Sequence, residues 1–354
     1  MTDHATILIP DISGYTEFLS KTELDHSSHI INELLEVLVE SNSTDCTLSE
    51  IEGDALLFYR KGEPLAFDEM TRQCLEMFRN FHSRIKLIER DSICQCGACQ
   101  SASNLTMKFI VHYGAVKEIK VANFSKASGL DMVIAHRLLK NNISSSEYIL
   151  ATRNYLNRVN GNISSPAIMW QSGSEEYKAI GRLEFQYALL EKIKSSIPDP
   201  PPKEDLTVAL GEESLELAIA APMMKVYALL IDLDNRAEWI PGVKAVIGEI
   251  PVDRLGARHR CIFDDMTIEI VPQKGEIGNK EIQYVESSYE AGMGLKYFLD
   301  CRLTAKGGNL TDLVIRIGTE SGQELAPEVA AMVWQNLCLM MMRNLNCQNT
   351  SNHS

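Results

Sequence analysis

Two aspartates and three clustered cysteines are the residues of this chain whose types and spacing could do chemistry. Asp11 follows an apolar run and a proline in ILIPDISGYTEF, residues 7–18. A carboxylate at the end of a buried strand is costly unless something positive sits beside it. Asp54 follows Gly53 within CTLSEIEGDALLFYR, residues 46–60, where Gly-Asp between two strand-like runs signals a hairpin. In a sheet where the first strand pairs beside that hairpin, the two carboxylates face each other. With no adjacent base they repel unless a divalent cation lies between them. Mg²⁺ suits such a place, because it takes one or two carboxylates and keeps its other positions for water and phosphate oxygens. The plainer alternative is an Asp11 that caps its own turn and an Asp54 that is an ordinary hairpin residue.

CQCGAC places Cys94, Cys96 and Cys99 within six residues. Three thiols so close, with Gly97 permitting a tight turn, suit a Zn²⁺ knuckle that lacks one ligand. Cys74, His112 or a second protomer are the candidates for the fourth. The alternative is a loop of reduced thiols. His112 itself reads as a strand histidine satisfied by the core.

The elements that must position these residues fall on either side of SSIPDPPPKED, residues 195–205, where four prolines in five positions forbid helix and central strand. The expected organisation is a first domain over 1–194, a linker over 195–206, a second domain over 207–347 and a polar tail over 348–354. In the first half, Thr6–Ile9 reads as a short strand. Ser27–Glu40 reads as a helix, with Ser27 as N-cap and Ile30, Ile31, Leu34, Leu35 and Leu38 on one face. A second helix opens at Pro64 and carries Phe67, Met70, Cys74, Met77 and Phe81 on one side. Residues 105–121 read as strand–turn–strand, 130–141 as helix and 177–191 as a closing strand. That order predicts an α+β domain with an antiparallel-rich sheet covered by helices. The second half begins with a strand over 214–222 and a helix over 223–232, continues with five strands and closes with a helix over 327–346. A terminal helix across a curved antiparallel sheet encloses a cavity suited to an apolar ligand.

Composition narrows the classes. With 34 basic and 48 acidic residues the net charge is −14, so no basic stripe is available for nucleic acid. The N-terminus has neither a basic start nor a long apolar core, and VAAMVWQNLCLMMM is too short to span a bilayer, so the chain reads as cytoplasmic. An odd cysteine count of nine then points to thiols or a metal rather than a disulfide framework.

ILIPDISGYTEF resembles the strand and turn of class III nucleotide cyclases, and SEIEGDALLFY their Gly-Asp hairpin. KFIVHYGAV and GLDMVIAHRLL are similar to the later Gly-x-His-x-Gly strand and the Asn and Arg helix. The likeness runs in consistent order over residues 5–190. It implies a ferredoxin-like cyclase-homology sandwich in which Asp11 and Asp54, with the carbonyl of Ile12, hold two Mg²⁺ or Mn²⁺ ions. It further implies Arg137 as the charge-stabilising arginine, Arg182 as a weaker match to a phosphate contact, and Glu50 as the purine-selecting position with Lys126 near its partner. Val133 stands where the family has its ribose-orienting asparagine. The family active site forms between two protomers, so a homodimer acting on a purine nucleoside triphosphate is implied.

ESLELAIAAPMMKVYALLIDLDNRAEWIPGVKAV resembles the opening of START-like (polyketide cyclase/dehydrase, SRPBCC) proteins. That resemblance covers 212–346 and implies a helix-grip fold: an antiparallel sheet, a long C-terminal helix and a cavity for a small hydrophobic ligand. Met332, Trp334, Leu337, Met340 and Met341 would line the cavity, although such a stripe at helical spacing is usually plain core. On the strand at RHR, His259 points opposite to Arg258 and Arg260. No catalytic set is visible in this half, which reads as a binder. The whole chain resembles a bacterial family that joins the two domains. Its expected function is metal-dependent nucleotide binding with slow 3′,5′-cyclisation of GTP or ATP, coupled to an apolar ligand. The alternative is a sensor that binds either without turnover.

Overall fold

The structure, a computed structural model, describes residues 3–319 except 21, 23, 123, 160–167, 204, 205, 207, 235, 241, 249–253 and 293, and beyond 319 only residue 333. The chain divides into two compact units, Met1–Arg90 with Gly97–Pro201 and Asp91–Cys96 with Pro202–Ser354. Among the described residues no helix is long and apolar enough to cross a membrane.

In the first unit β1 (Asp3–Ser13) leads through α1 (Tyr15–Ser20) and α2 (Leu24–Glu40) to the hairpin of β2 (Thr47–Glu52) and β3 (Ala55–Lys61). Next come α3 (Phe67–Asp91), α4 (Gly97–Ser101), β4 (Thr106–Val121), β5 (Phe124–Ser128), α5 (Leu130–Arg137) and β6 (Tyr148–Thr152). The unit closes with α6 (Arg153–Val159), β7 (Trp170–Tyr177), β8 (Gly181–Leu189) and α7 (Glu191–Ser195). The sheet order is β2-β3-β1-β4-β6-β8-β7, with β5 paired to β4. All its pairings are antiparallel except β4 with β6. This is the mixed α+β architecture expected.

Several boundaries differ from the sequence reading for identifiable reasons. β1 does not stop at Ile9 but runs through Pro10 to Ser13, with residues 5–12 buried. Its pairing with β3 covers Ala5↔Lys61 to Leu8↔Phe58 and resumes at Asp11↔Ala55, so the donor that Pro10 lacks falls in a gap of that ladder. Residues 105–121 form one long strand rather than two, and the turn comes later, before β5. Ser27 lies inside α2, its hydroxyl donating to the carbonyl of Leu24, and is not the N-cap. β6, buried along its whole length, lay in a stretch given no element. The apolar face expected on α3 is the observed one, and Phe67, Met70, Cys74, Met77 and Phe81 are all buried. The proline segment is strapped down rather than a free spacer. Lys86 Nζ donates to the carbonyl of Ile197 at 2.6 Å, and Arg90 donates to that of Pro201 at 2.9 Å.

The second unit contains β9 (Ala209–Ile219), α8 (Met223–Ile231), α9 (Arg236–Trp239), β10 (Ala245–Gly248) and β11 (His259–Ile262). β12 (Thr267–Ile277), β13 (Glu281–Glu290), β14 (Leu295–Ala305) and β15 (Thr311–Thr319) complete a fully antiparallel sheet of order β10-β11-β12-β13-β14-β15-β9. The five strands expected over 258–263, 266–271, 281–287, 294–304 and 310–318 are present as β11 to β15, with β12 running six residues past its expected end, and β10 is a strand that the sequence reading did not have. Arg236, buried, donates to both carboxylate oxygens of buried Glu286 and to the carbonyl of Leu230, while the Tyr284 hydroxyl also donates to Glu286. The expected terminal helix over 327–346, with Trp334, Leu337 and Met341, lies outside the described residues.

Removing one partner of a buried ion pair strands the other in low dielectric. Glu286→Ala is therefore expected to destabilise the second unit by about 3–5 kcal/mol, and Glu286→Gln by less. Urea unfolding followed by hydrogen exchange at β13 measures both; equal and negligible effects would mean that the pair is not an anchor.

Candidate functional site

The site forms where β1, β3 and β4 end together. Asp11 pairs across with Ala55 on β3 and with Lys108 on β4. Gly53, at φ +65°, makes the tight turn that delivers Asp54, and the Ile12 N–H donates to the carbonyl of Asp54 at 3.0 Å. Two carboxylates that lie far apart in sequence thus stand at one end of the sheet, Asp11 on β1 and Asp54 in the turn that leads into the neighbouring β3.

Asp11 is 8% exposed. Burial pushes its carboxyl above the ordinary range, against the opposing pull of Lys108. Asp54 is pushed up as well, by burial first and by the charge of Asp11 second. Asp54 therefore feels the charge of Asp11, whereas the charges acting on Asp11 are those of Lys108 and His136. The reading omitted Lys108, whose Nζ lies 2.9 Å from Asp11 Oδ2 and donates to the Ser13 hydroxyl at 3.2 Å. The premise that no base adjoins the pair is thus corrected: the chain carries its own cation at Asp11. No local pattern marked Lys108, because only the β1–β4 register shows which residue faces Asp11.

The remaining residues occupy three places. Glu50 and Lys126 are joined, Lys126 Nζ to Glu50 Oε2 at 3.0 Å, through the neighbouring β2 and β5 segments. His136 of α5 adds Glu52 to this group at 3.6 Å, and ligand atoms of Glu50, Glu52 and His136 lie within 4.8 Å of one another. Arg137 ends α5 and is exposed, as is Val133 one turn earlier. Arg182 sits elsewhere, lining a cavity of about 260 Å³ with Arg153, Ser172, Ser174 and Glu184. The row of Asp11 and Lys108 continues through Tyr148 to Leu189. Arg182 is seven residues from Leu189 along β8, about 23 Å at strand rise, so within one chain it does not reach Asp11.

His112 is fully engaged. Its Nε2 meets Asp131 at 2.9 Å and its Nδ1 meets Thr152 Oγ1 at 2.8 Å. Burial works against the charge of Asp131, but bonds from His112 and the Ala115 N–H outweigh it and hold its carboxyl below the usual range. Gly114 is needed here, since a Cβ would lie 2.0 Å from Asp131 Cγ. The histidine is a structural group, as expected, and its network fixes α5 on β4.

Among the cysteines, Cys74 is buried in α3 with its thiol pushed far up by burial. Cys99, on α4, lies 4.0 Å from Nδ1 of His26, in the first turn of α2. His26 carried no signal in the sequence, being remote from the cysteines and outside any motif.

A family model described as a protein of unknown function (DUF2652) matches residues 31–148. Over 120 residues, 34% of this chain, the sequence is 33% identical to an uncharacterised protein of Mycobacterium tuberculosis (strain ATCC 25618 / H37Rv), and the match spans 56% of that protein. The guanylate cyclase domain of RhGC from Catenaria anguillulae, solved with GTP, is similar at 17% identity over 52% of this chain and 96% of that chain, with a TM-score of 0.39. The adenylyl cyclase CyaB from P. aeruginosa is similar at 17% identity over 57% of this chain and 98% of that one, with a TM-score of 0.36.

The unequal surroundings of the two acids give opposite expectations. Asp54→Asn removes a charge held against burial and against Asp11, so stability at pH 7 is retained or rises. Asp11→Asn leaves the Lys108 ammonium without its carboxylate and costs about 1–3 kcal/mol. Thermal unfolding of the two variants measures the difference. Adding Lys108→Met to Asp11→Asn is expected to recover part of the loss.

Proposed function

We propose that the first unit is a divergent class III cyclase-like domain that binds a purine nucleoside triphosphate with Mg²⁺ or Mn²⁺. It turns the triphosphate over slowly to the 3′,5′-cyclic product, in a protein whose second unit is a START-like binder of a small hydrophobic ligand. The observation that carries this reading is the register of β1 with β3, which sets Asp11 and Asp54 at one sheet end in the order the sequence resemblance requires.

The donor set fits hard cations: two carboxylates and the carbonyl of Ile12 would leave further coordination positions to water and phosphate oxygens. A divalent ion held there lowers the pKa of a ribose hydroxyl and offsets phosphate charge. Lys108 sets the condition for binding. Its ammonium competes for Asp11 Oδ2, so metal entry requires that it release Asp11, keeping its bond to Ser13 or turning to a substrate phosphate. Such a built-in competitor keeps the acids stable in the absence of ligand and makes metal and nucleotide bind together. Arg137, exposed at the end of α5, is available to the site of a second copy, as the homodimeric arrangement requires.

Base choice rests on Glu50. A carboxylate can accept the N1–H and 2-amino hydrogens of guanine together, whereas adenine presents an acceptor at N1. The Lys126–Glu50 bridge blocks that role while it is closed. Lys126 is more than half exposed, and such surface pairs open at little cost.

Nucleotide binding measured by displacement of a fluorescent analogue, with mass spectrometry for cyclic product, tests the reading. Mn²⁺-dependent binding is expected to weaken strongly in Asp11→Asn and Asp54→Asn and to tighten in Lys108→Met. Equal binding in all four proteins would refute the metal site, and binding without cyclic product would leave the sensor alternative. GTP is expected to displace the analogue about ten- to a hundredfold better than ATP, the equivalent of about 1–3 kcal/mol for an unpaired buried group. Lys126→Ala is expected to widen that gap and Glu50→Lys to close it.

A further inference from the structure

We propose that Glu50, Glu52 and His136 bind a zinc ion at a three-donor site that shares no side chain with the carboxylate pair of Asp11 and Asp54. All three residues belong to the first unit. Glu50 and Glu52 are two apart on β2, so their side chains leave the same face of the strand. The register of β2 with β3 shifts between Leu48 and Glu50, and such a bulge re-aims the side chains beside it. The Ser49 hydroxyl at this shift accepts the Ala127 N–H of β5 at 2.9 Å. His136 comes from α5, which the bonds of Asp131 to His112 and to the Ala115 N–H hold on β4. The donors therefore come from two elements that are fixed without any ion.

Ligand atoms of the three residues lie within 4.8 Å of one another. His136 Nδ1 and Glu52 Oε2 are 3.6 Å apart, too far for a hydrogen bond. That spacing is close to the ~3.3 Å between donors around a tetrahedral zinc with bonds of about 2.0–2.1 Å. One imidazole and two carboxylates complete three positions and leave the fourth to water. The nitrogen donor favours zinc over Mg²⁺, whereas Asp11, Asp54 and Ile12 offer oxygen alone. Glu52 is half exposed and His136 a quarter exposed, so the ion has a route from solvent. Lys126 balances Glu50 at 3.0 Å, and zinc takes its place. The lysine is more than half exposed, and giving up a surface pair of this kind costs little. A bound ion joins β2 to α5, the helix that ends in Arg137. The site itself does not depend on the nucleotide reading. Its effect on base choice does, because a metal-bound Glu50 is withdrawn from guanine.

The test uses the full chain, without a histidine tag, labelled with ¹⁵N-histidine, stripped with chelator and returned to buffer containing excess Mg²⁺. Histidine-selective NMR follows each imidazole as Zn²⁺ is added, and the His136 signal is the one missing from His136→Gln. That signal is expected to shift with one saturable equivalent. Glu50→Gln and Glu52→Gln are each expected to abolish the saturable shift. Lys126→Ala removes the competitor and is expected to tighten binding about two- to fivefold, the reach of a surface ion pair. Misfolding would not produce such a gain. A His136 signal that zinc leaves unmoved, with the ion taken up elsewhere or not at all, would overturn the site. An equal shift in both glutamate variants would overturn the carboxylate ligands. With Zn²⁺ bound, GTP is expected to displace the fluorescent analogue no better than ATP. A GTP preference that persists while His136 holds zinc would count against Glu50 as the base reader and leave the metal site standing.

Discussion

The antiparallel pairing of β1 between β3 and β4 is the constraint on which the first unit depends. β1 is buried along residues 5–12, so any charge at its end has to be compensated locally. The register provides that compensation by setting Lys108 opposite Asp11. The same register brings Asp54 alongside, and the repulsion this creates is tolerable because one of the two acids already has a partner. Packing, electrostatics and the candidate chemistry therefore rest on one set of strand contacts.

A lysine within 2.9 Å of a buried carboxylate changes the physics of the sheet end. Asp11 is buried beside the Lys108 ammonium, whose charge opposes the cost of that burial without cancelling it. Under the proposed reading a triphosphate would supply the balancing charge, since it offers phosphate oxygens both to an ion and to the displaced ammonium. On that reading, coupled binding of metal and nucleotide follows from charge balance at the sheet end.

The two units handle buried charge in the same manner. In the second, Arg236 and Glu286 satisfy each other through two hydrogen bonds, with Leu230 and Tyr284 taking further positions. In the first, His112, Asp131 and Thr152 form a chain of bonds that holds α5 on β4. Buried polar groups are costly when unpaired, so each network fixes one arrangement of the elements that carry it.

The sequence by itself determined the elements whose pattern is local. The apolar face of α3, the Gly-Asp hairpin and the strand series of the second unit were legible because side-chain periodicity and turn chemistry act over a few residues. It also determined the candidates Asp11, Asp54 and the three cysteines, which stand out by type and spacing, while Glu50 was marked only by the resemblance to nucleotide cyclases. Only the tertiary structure decided which of them meet. Lys108 pairs with Asp11 across a ladder between strands almost a hundred residues apart, and His26 reaches Cys99 through helix packing. Nothing in either residue's neighbourhood encodes such a contact. The strand continuing through Pro10 was misread for a related reason: a proline ends a strand only where its missing donor is needed, and that need is set by the partner strand. Arg182 lay beyond sequence reasoning too, because its distance from Asp11 is a count of residues along β8 that only the sheet order defines.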